Sequence, residues 1–169
     1  MNKIFIAALP IIIACSACKQ QPAKNAGGDT VKTAVKARPA NDTVAIFNNY
    51  LILKNDLVKA DANAAKAAAA SLQSSLGKLK GCAQTATTAA QISASADLKQ
   101  QRKAFLLLSS DVIALMKGAR LKNMHAYVDY CPMAGGGKGG FWLSSAKAIE
   151  NPYFGDDMKE CGEVKEEIK

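Results

Sequence analysis

The sequence predicts a mainly α fold, an antiparallel bundle of about four helices with an irregular, loop-rich C-terminal segment packed on it, and three observations carry that prediction. Alanine, the best helix former, supplies 31 of 169 residues while aromatics supply only 6%, a balance that disfavours an all-β sandwich or barrel. Apolar residues recur at spacings of three and four in separate stretches between residues 43 and 118, the period of a helix face. Beyond Gly118 the composition changes, and residues 124–162 hold the single His, the single Trp and three of the four Tyr. The length suits one ordinary domain with a short appendage and excludes a multidomain machine.

Each element follows from its local pattern. After Asp42, a good N-cap, Ile46, Tyr50, Leu53 and Leu57 form one stripe widened by Phe47, Leu51 and Val58, which predicts a first helix over 43–59. Asp61 or Asn63 then caps a second over 62–80, carrying Ala65, Ala69, Leu72, Leu76 and Leu79 and stopping before Gly81, a residue suited to the position after a helix end. The alanines at 67–70 let a neighbouring helix approach closely. Residues 83–95 are small and polar around Ile92 and read as a short, weakly packed helix. From Asp97 onward, Leu98, Phe105, Leu108, Val112 and Leu115 define a long helix that ends near Gly118 and closes the bundle. Arg102 and Lys103 on it are expected to face solvent or to pair with Asp residues of a neighbouring helix. In the tail, Tyr127 to Tyr130 alternates like a short strand, Gly135 to Gly140 reads as a flexible loop, and Asn151 to Gly155 as a turn with buried aromatics. Asp156 is then expected to cap a last short helix that places Met158 and Cys161 on one face.

The N-terminus reads as an address rather than as structure. Lys3 precedes an apolar run from Ile4 to Ile13, and small residues before cysteine close it, the anatomy of an export signal over residues 1–18. The run is shorter than the roughly 20 residues that a permanent span requires. Ile12-Ile13-Ala14-Cys15 resembles the bacterial lipobox, which makes Cys15 the expected lipidation site and Cys18 the next choice. Residues 19–41 are rich in Pro, Gly, Lys, Gln and Thr and read as a flexible tether spanning roughly 25 Å. The single domain is expected over 42–169. Together these features predict an exported lipoprotein, anchored through its lipid and facing the periplasm or the cell surface. Asp29-Thr30-Val31 and Asp42-Thr43-Val44 resemble a bacterial O-glycosylation sequon. The formal net charge is +8, but +4 of it lies in residues 19–38. The folded part is nearly balanced, so nucleic acid is not an expected partner.

Several strings carry a likeness to other proteins. Tyr130-Cys131-Pro132-Met133-Ala134, Gly139 to Ser144 (GGFWLS), Asn151 to Gly155 (NPYFG), Met158, and Cys161-Gly162-Glu163-Val164 resemble an uncharacterised bacterial domain family of unknown function. Tyr50-Leu51 with Leu53-Lys54, and Gln101-Arg102 with Phe105 and Leu108-Ser109, match the same pattern. Members occur as stand-alone lipoproteins or at the C-terminus of periplasmic adaptor subunits of copper/silver-type efflux pumps. The resemblance implies a helical exported domain linked to soft metals, with a metal-efflux adaptor or another periplasmic protein as partner, and it brings no activity. Cys82 and His125 stand outside the family pattern.

The chemistry of the tail rests on sulfur. Cys131, Met133, Met158 and Cys161 offer two thiols and two thioethers, soft donors that select Cu(I) over Ca²⁺ or Mg²⁺; His125 reads as a surface histidine or, functionally, as a further ligand. The alternative is a Cys131–Cys161 disulfide, at home in an oxidising compartment and worth roughly 3–4 kcal/mol on the chain-entropy model. The spacing of the two cysteines does not choose between them. Other sites find less support. Gly139 replaces the Ser or Thr that a phosphate loop needs after Lys138. Asp156, Asp157, Glu160 and Glu163 are read as a cap and a solvated face. No nucleophile, base and orienting group can be assembled, so the chain is expected not to be an enzyme.

Overall fold

The computed structural model describes residues 40–119 and 125–169, with side chains from Asp42 onward. Four helices come first, α1 (Ala40–Val58), α2 (Ala62–Gly77), α3 (Ala83–Ala94) and α4 (Leu98–Ala119), joined by connections short enough to make consecutive helices antiparallel neighbours. The tail adds β1 (Ala126–Cys131), the one-turn α5 (Ala134–Gly137), β2 (Gly140–Ser144), a 3-10 turn (Gly155–Met158) and β3 (Glu163–Ile168). Its strands form one antiparallel sheet in the order β2-β1-β3.

The helix ends show which local signals act. Asp61 caps α2, its carboxylate accepting from the backbone N–H of Asn63 at 3.1 Å and Ala64 at 2.9 Å. Asp97 does the same for α4 through the N–H of Lys99 at 2.9 Å. Asp42 does not cap: α1 begins two residues earlier, at Ala40, inside the expected tether, and Asp42 lies in its first turn, where a carboxylate still favours the positive helix end. Thr43 is fully buried, so the Asp42-Thr43-Val44 sequon is closed to modification in the folded chain. The sequon at 29–31, the signal, Cys15, Cys18 and the tether up to residue 39 lie outside the described residues. α2 stops at Gly77 rather than Lys80, because the chain tightens through Lys78 N–H to Ser75 O at 3.3 Å and Leu79 N–H to Leu76 O at 3.0 Å. α3 is better packed than its polar composition suggests, with Ile92 and Ala89 fully buried.

The expected apolar stripes are the core. Ile46, Tyr50, Leu53 and Leu57 of α1 meet Leu72 and Leu76 of α2 and Phe105, Leu108, Val112 and Met116 of α4 in one continuous buried cluster, which extends into the tail through Val128, Trp142, Leu143 and Tyr153. Phe105 links the two halves: its ring stacks on Tyr50 with centroids 5.3 Å apart and tilts against Tyr153 at 5.9 Å.

Two expectations for the tail are corrected. Residues 135–137 are not an open loop. They wind as a left-handed turn with φ of +61°, +71° and +84°, held by Gly137 N–H to Met133 O at 3.2 Å and Gly139 N–H to Ala134 O at 3.0 Å, a path that only glycine follows without steric cost. Nor does Asp156 cap a last helix. The 3-10 turn has no side-chain cap, and the Glu- and Lys-rich residues beyond Cys161 form the edge strand β3, recruited by backbone pairing with β1. Among the described residues no helix is long and apolar enough to cross a membrane.

Candidate functional site

Tyr50, Lys54 and Phe105 hold the tail, with Ser109 and Arg102 bonded to α1 beside them, and all five belong to the strings that carry the family resemblance. Tyr50 Oη accepts from the backbone N–H of Leu143 at 3.1 Å and shares a hydrogen bond with Ser109 Oγ at 2.7 Å. Burial drives the phenol's pKa well above its ordinary value against the smaller opposing pull of those two partners, so it stays neutral and serves as a strut. Lys54, nearly buried among apolar neighbours, donates to Glu150 Oε2 at 3.2 Å. Phe105 receives Tyr153. Arg102, half-buried, forms no ion pair with an Asp of a neighbouring helix: its Nη2 donates to Leu57 O at 2.9 Å, a second donor to a carbonyl at the C-terminal end of α1 that also accepts from Ala60 N–H at 3.3 Å. Gly155 closes over this contact at φ +59°, where a Cβ would come within 2.6 Å of Arg102 Nη2 and 2.7 Å of Val58 O.

The two tail cysteines meet. Cys131 ends β1 fully buried, Cys161 follows the 3-10 turn half-buried, and their Sγ atoms are 2.9 Å apart. Asn151, the first residue of the turn at 151–155, positions Cys161. Its Nδ2 donates to Cys161 O at 2.7 Å, its Oδ1 accepts from Tyr153 N–H at 2.8 Å, its N–H donates to Lys159 O at 2.8 Å, and its carbonyl accepts from Gly155 N–H at 3.0 Å. All its polar groups are spent on pinning the segment 151–161. The hydrogen bond to Cys131, with burial adding to it, raises the Cys161 pKa, which favours the thiol over the thiolate.

The other expected ligands are distributed differently. Met133 lies two residues beyond Cys131 and is 54% exposed. Met158 is half-buried in the 3-10 turn, where its carbonyl accepts from Cys161 N–H at 3.1 Å. His125 is not brought to the cysteines. It precedes β1 at the far end from Cys131, six residues or roughly 20 Å away along an extended chain, exposed, with Nδ1 3.8 Å from Glu167 Oε1. Cys82 is buried between α2 and α3 as a free thiol. Among the described residues no group of three or more His, Cys, Asp or Glu side chains is arranged to hold a metal ion.

One buried acid went unnoticed in the sequence. Asp129 is fully buried on β1 beside its cross-strand partner Trp142. Neither its carboxyl oxygens nor Trp142 Nε1 makes a hydrogen bond of full geometry. Burial raises the Asp129 pKa to about 6, against weaker opposite pulls from Ser144, Lys54 and Trp142. A carboxyl with a higher pKa folded than unfolded binds its proton more tightly in the folded chain. Its contribution to stability is therefore complete below about pH 4 and is lost as the pH rises through 6. Asp129→Asn is expected to stabilise the domain at pH 7.5 by roughly 1–2 kcal/mol and to flatten the decline between pH 4.5 and 7.5. Urea titrations of both proteins at the two pH values check this, and parallel pH profiles would refute it.

These features define a four-helix domain closed by a three-stranded cap that is docked through buried polar contacts and tied by a thiol pair. Residues 46–124 match a family model described as protein of unknown function (DUF3347). The matched span contains Tyr50, Lys54, Arg102, Phe105 and Ser109 and stops before β1, leaving both tail cysteines outside it. No curated protein and no solved structure matches the chain.

Proposed function

We propose that this chain is a non-catalytic accessory domain, exported and lipid-anchored through Cys15, whose tail is a protein-interaction module locked by a bond between Cys131 and Cys161. The observation that carries this reading is the 2.9 Å sulfur separation. A disulfide needs its sulfurs about 2.05 Å apart, and two thiolates that share an ion through metal–sulfur bonds of about 2.3 Å stand nearly 4 Å apart at a tetrahedral angle, so the pair is within a short shift of either and the compartment decides. The distance of His125 from the pair weighs toward the bridge. An oxidising compartment closes such a pair directly.

A second reading, Cu(I) held by Cys131 and Cys161 with Met133 and Met158, draws on the same proximity and on the exposure of Met133, which leaves a thioether free to close over the thiols. One experiment separates the two. The exported chain is purified without reductant and denatured, and its reactive thiols are alkylated and located by mass. Labelling is expected at Cys18 and Cys82, with Cys131 and Cys161 protected; alkylation of both Cys131 and Cys161 would overturn the bridge. Cu(I) competition on the reduced chain then tests the second reading, which requires Cys131→Ser and Cys161→Ser each to weaken binding.

A further inference from the structure

A groove of about 870 Å³ lies between the first turns of α4, the glycine turn at Gly135 and Gly136, and the aromatic turn before the 3-10 segment, a size typical of small-molecule sites. Leu98, Leu106, Tyr153 and Phe154 give it an apolar wall. Lys99 and Lys103 line the same groove, both exposed and one helical turn apart. Among the described residues neither has a carboxylate within ion-pair distance.

The fold gains nothing from these two cations. Like charges at positions i and i+4 repel, and the start of a helix is its positive end, where lysine is disfavoured. Asp97, the one carboxylate lining the groove, has Oδ1 engaged by the N–H groups of Lys99 and Gln100 as the helix cap. Arg102 stands in the wall with Nη2 on Leu57 O and its buried Nε unpartnered. The groove thus sets positive charge beside an apolar, partly aromatic surface. The chain's own segment 19–38 carries +4, the wrong sign for an occupant, so the matching ligand comes from elsewhere.

We propose that this groove binds a small amphiphile with a carboxylate head and an apolar body, the head between Lys99 and Lys103 and the body against Tyr153 and Phe154. The site is separate from the thiol pair and does not depend on the function proposed above. The test is amide NMR of the full chain titrated with sodium decanoate below its micellar concentration, with decanol as the uncharged analogue and a Lys99→Gln/Lys103→Gln variant, whose exposed positions leave the core intact. Decanoate is expected to shift amides of residues 98–106 and 153–154 with sub-millimolar affinity. The variant is expected to lose about tenfold, the value of two exposed charge contacts, and decanol to bind the native chain at that lower level. No binding at millimolar decanoate, equal binding to chain and variant, or shifts confined to other surfaces would each overturn the site. So would lysine-dependent binding to anionic phosphatidylglycerol vesicles without binding of free decanoate, which would assign the lysines to a bilayer instead.

Discussion

Trp142→Ala is expected to cost about 3–5 kcal/mol, near the upper end for deleting a buried aromatic. Trp142 is the largest fully buried side chain, and its ring meets three separate parts of the tail. Tyr153 meets it edge-on with centroids 5.8 Å apart. Gly162, at the entry to β3, passes so close that a Cβ there would stand 2.8 Å from Trp142 Cη2. Asp129 faces it from β1. Truncation therefore opens a cavity between the sheet and the aromatic turn and lets water reach an acid that was dry. The loss should fall unevenly: the four helices keep their own contacts through Leu72, Leu76, Ile92 and Leu108, so hydrogen exchange should accelerate first in β1, β2 and β3. Guanidinium titration followed by helix signal gives the total. A loss under 1 kcal/mol would show that the tail does not unfold cooperatively with the bundle.

The bundle was legible because its residues obey a local rule. Ile46, Tyr50, Leu53 and Leu57 fall on one face whatever they pack against, and Asp61 and Asp97 cap from their own sequence neighbourhoods. The tail was legible only where side chains alternate, as in β1. The run from Glu163 to Ile168 has the composition of a solvated helix. It is extended because β1 offers it an open edge, a tertiary cause that local propensity does not encode. The glycine turn failed for the opposite reason, since glycine tolerates so many backbone states that composition does not choose among them. The meeting of Cys131 and Cys161 could be entertained from their chemistry, whereas the struts that bring it about could not. Lys54 and Asp129 did leave a trace: each is a charged residue inside an apolar run, four residues after Tyr50 in one case and between Val128 and Tyr130 in the other. A charge in such a place is costly unless something faces it, and what faces these two lies about 96 and 13 residues away, at Glu150 and Trp142.

Reduction of the bridged domain is expected to lower its stability by about 3–4 kcal/mol and its melting temperature by roughly 10–15 °C. The bond would close a loop from Cys131 to Cys161 that contains the glycine turn, β2 and the aromatic turn, the part of the chain with least regular structure to limit its unfolded freedom. In the folded state little has to move, because Asn151 and the β1 pairing already hold the two sulfurs together. The effect should therefore come chiefly from the unfolded chain, and reduced protein should keep its helix content and tail contacts at 25 °C while melting earlier. Asn151→Ala separates this from simple loss of packing: it removes the clamp on Cys161 but spares the bond, so the variant should be weakened less when oxidised than when reduced. Cys82→Ser should respond to reductant as the parent does. Equal melting temperatures with and without reductant would remove the bridge from the account, since a loop of 30 residues cannot be closed covalently without an entropic consequence.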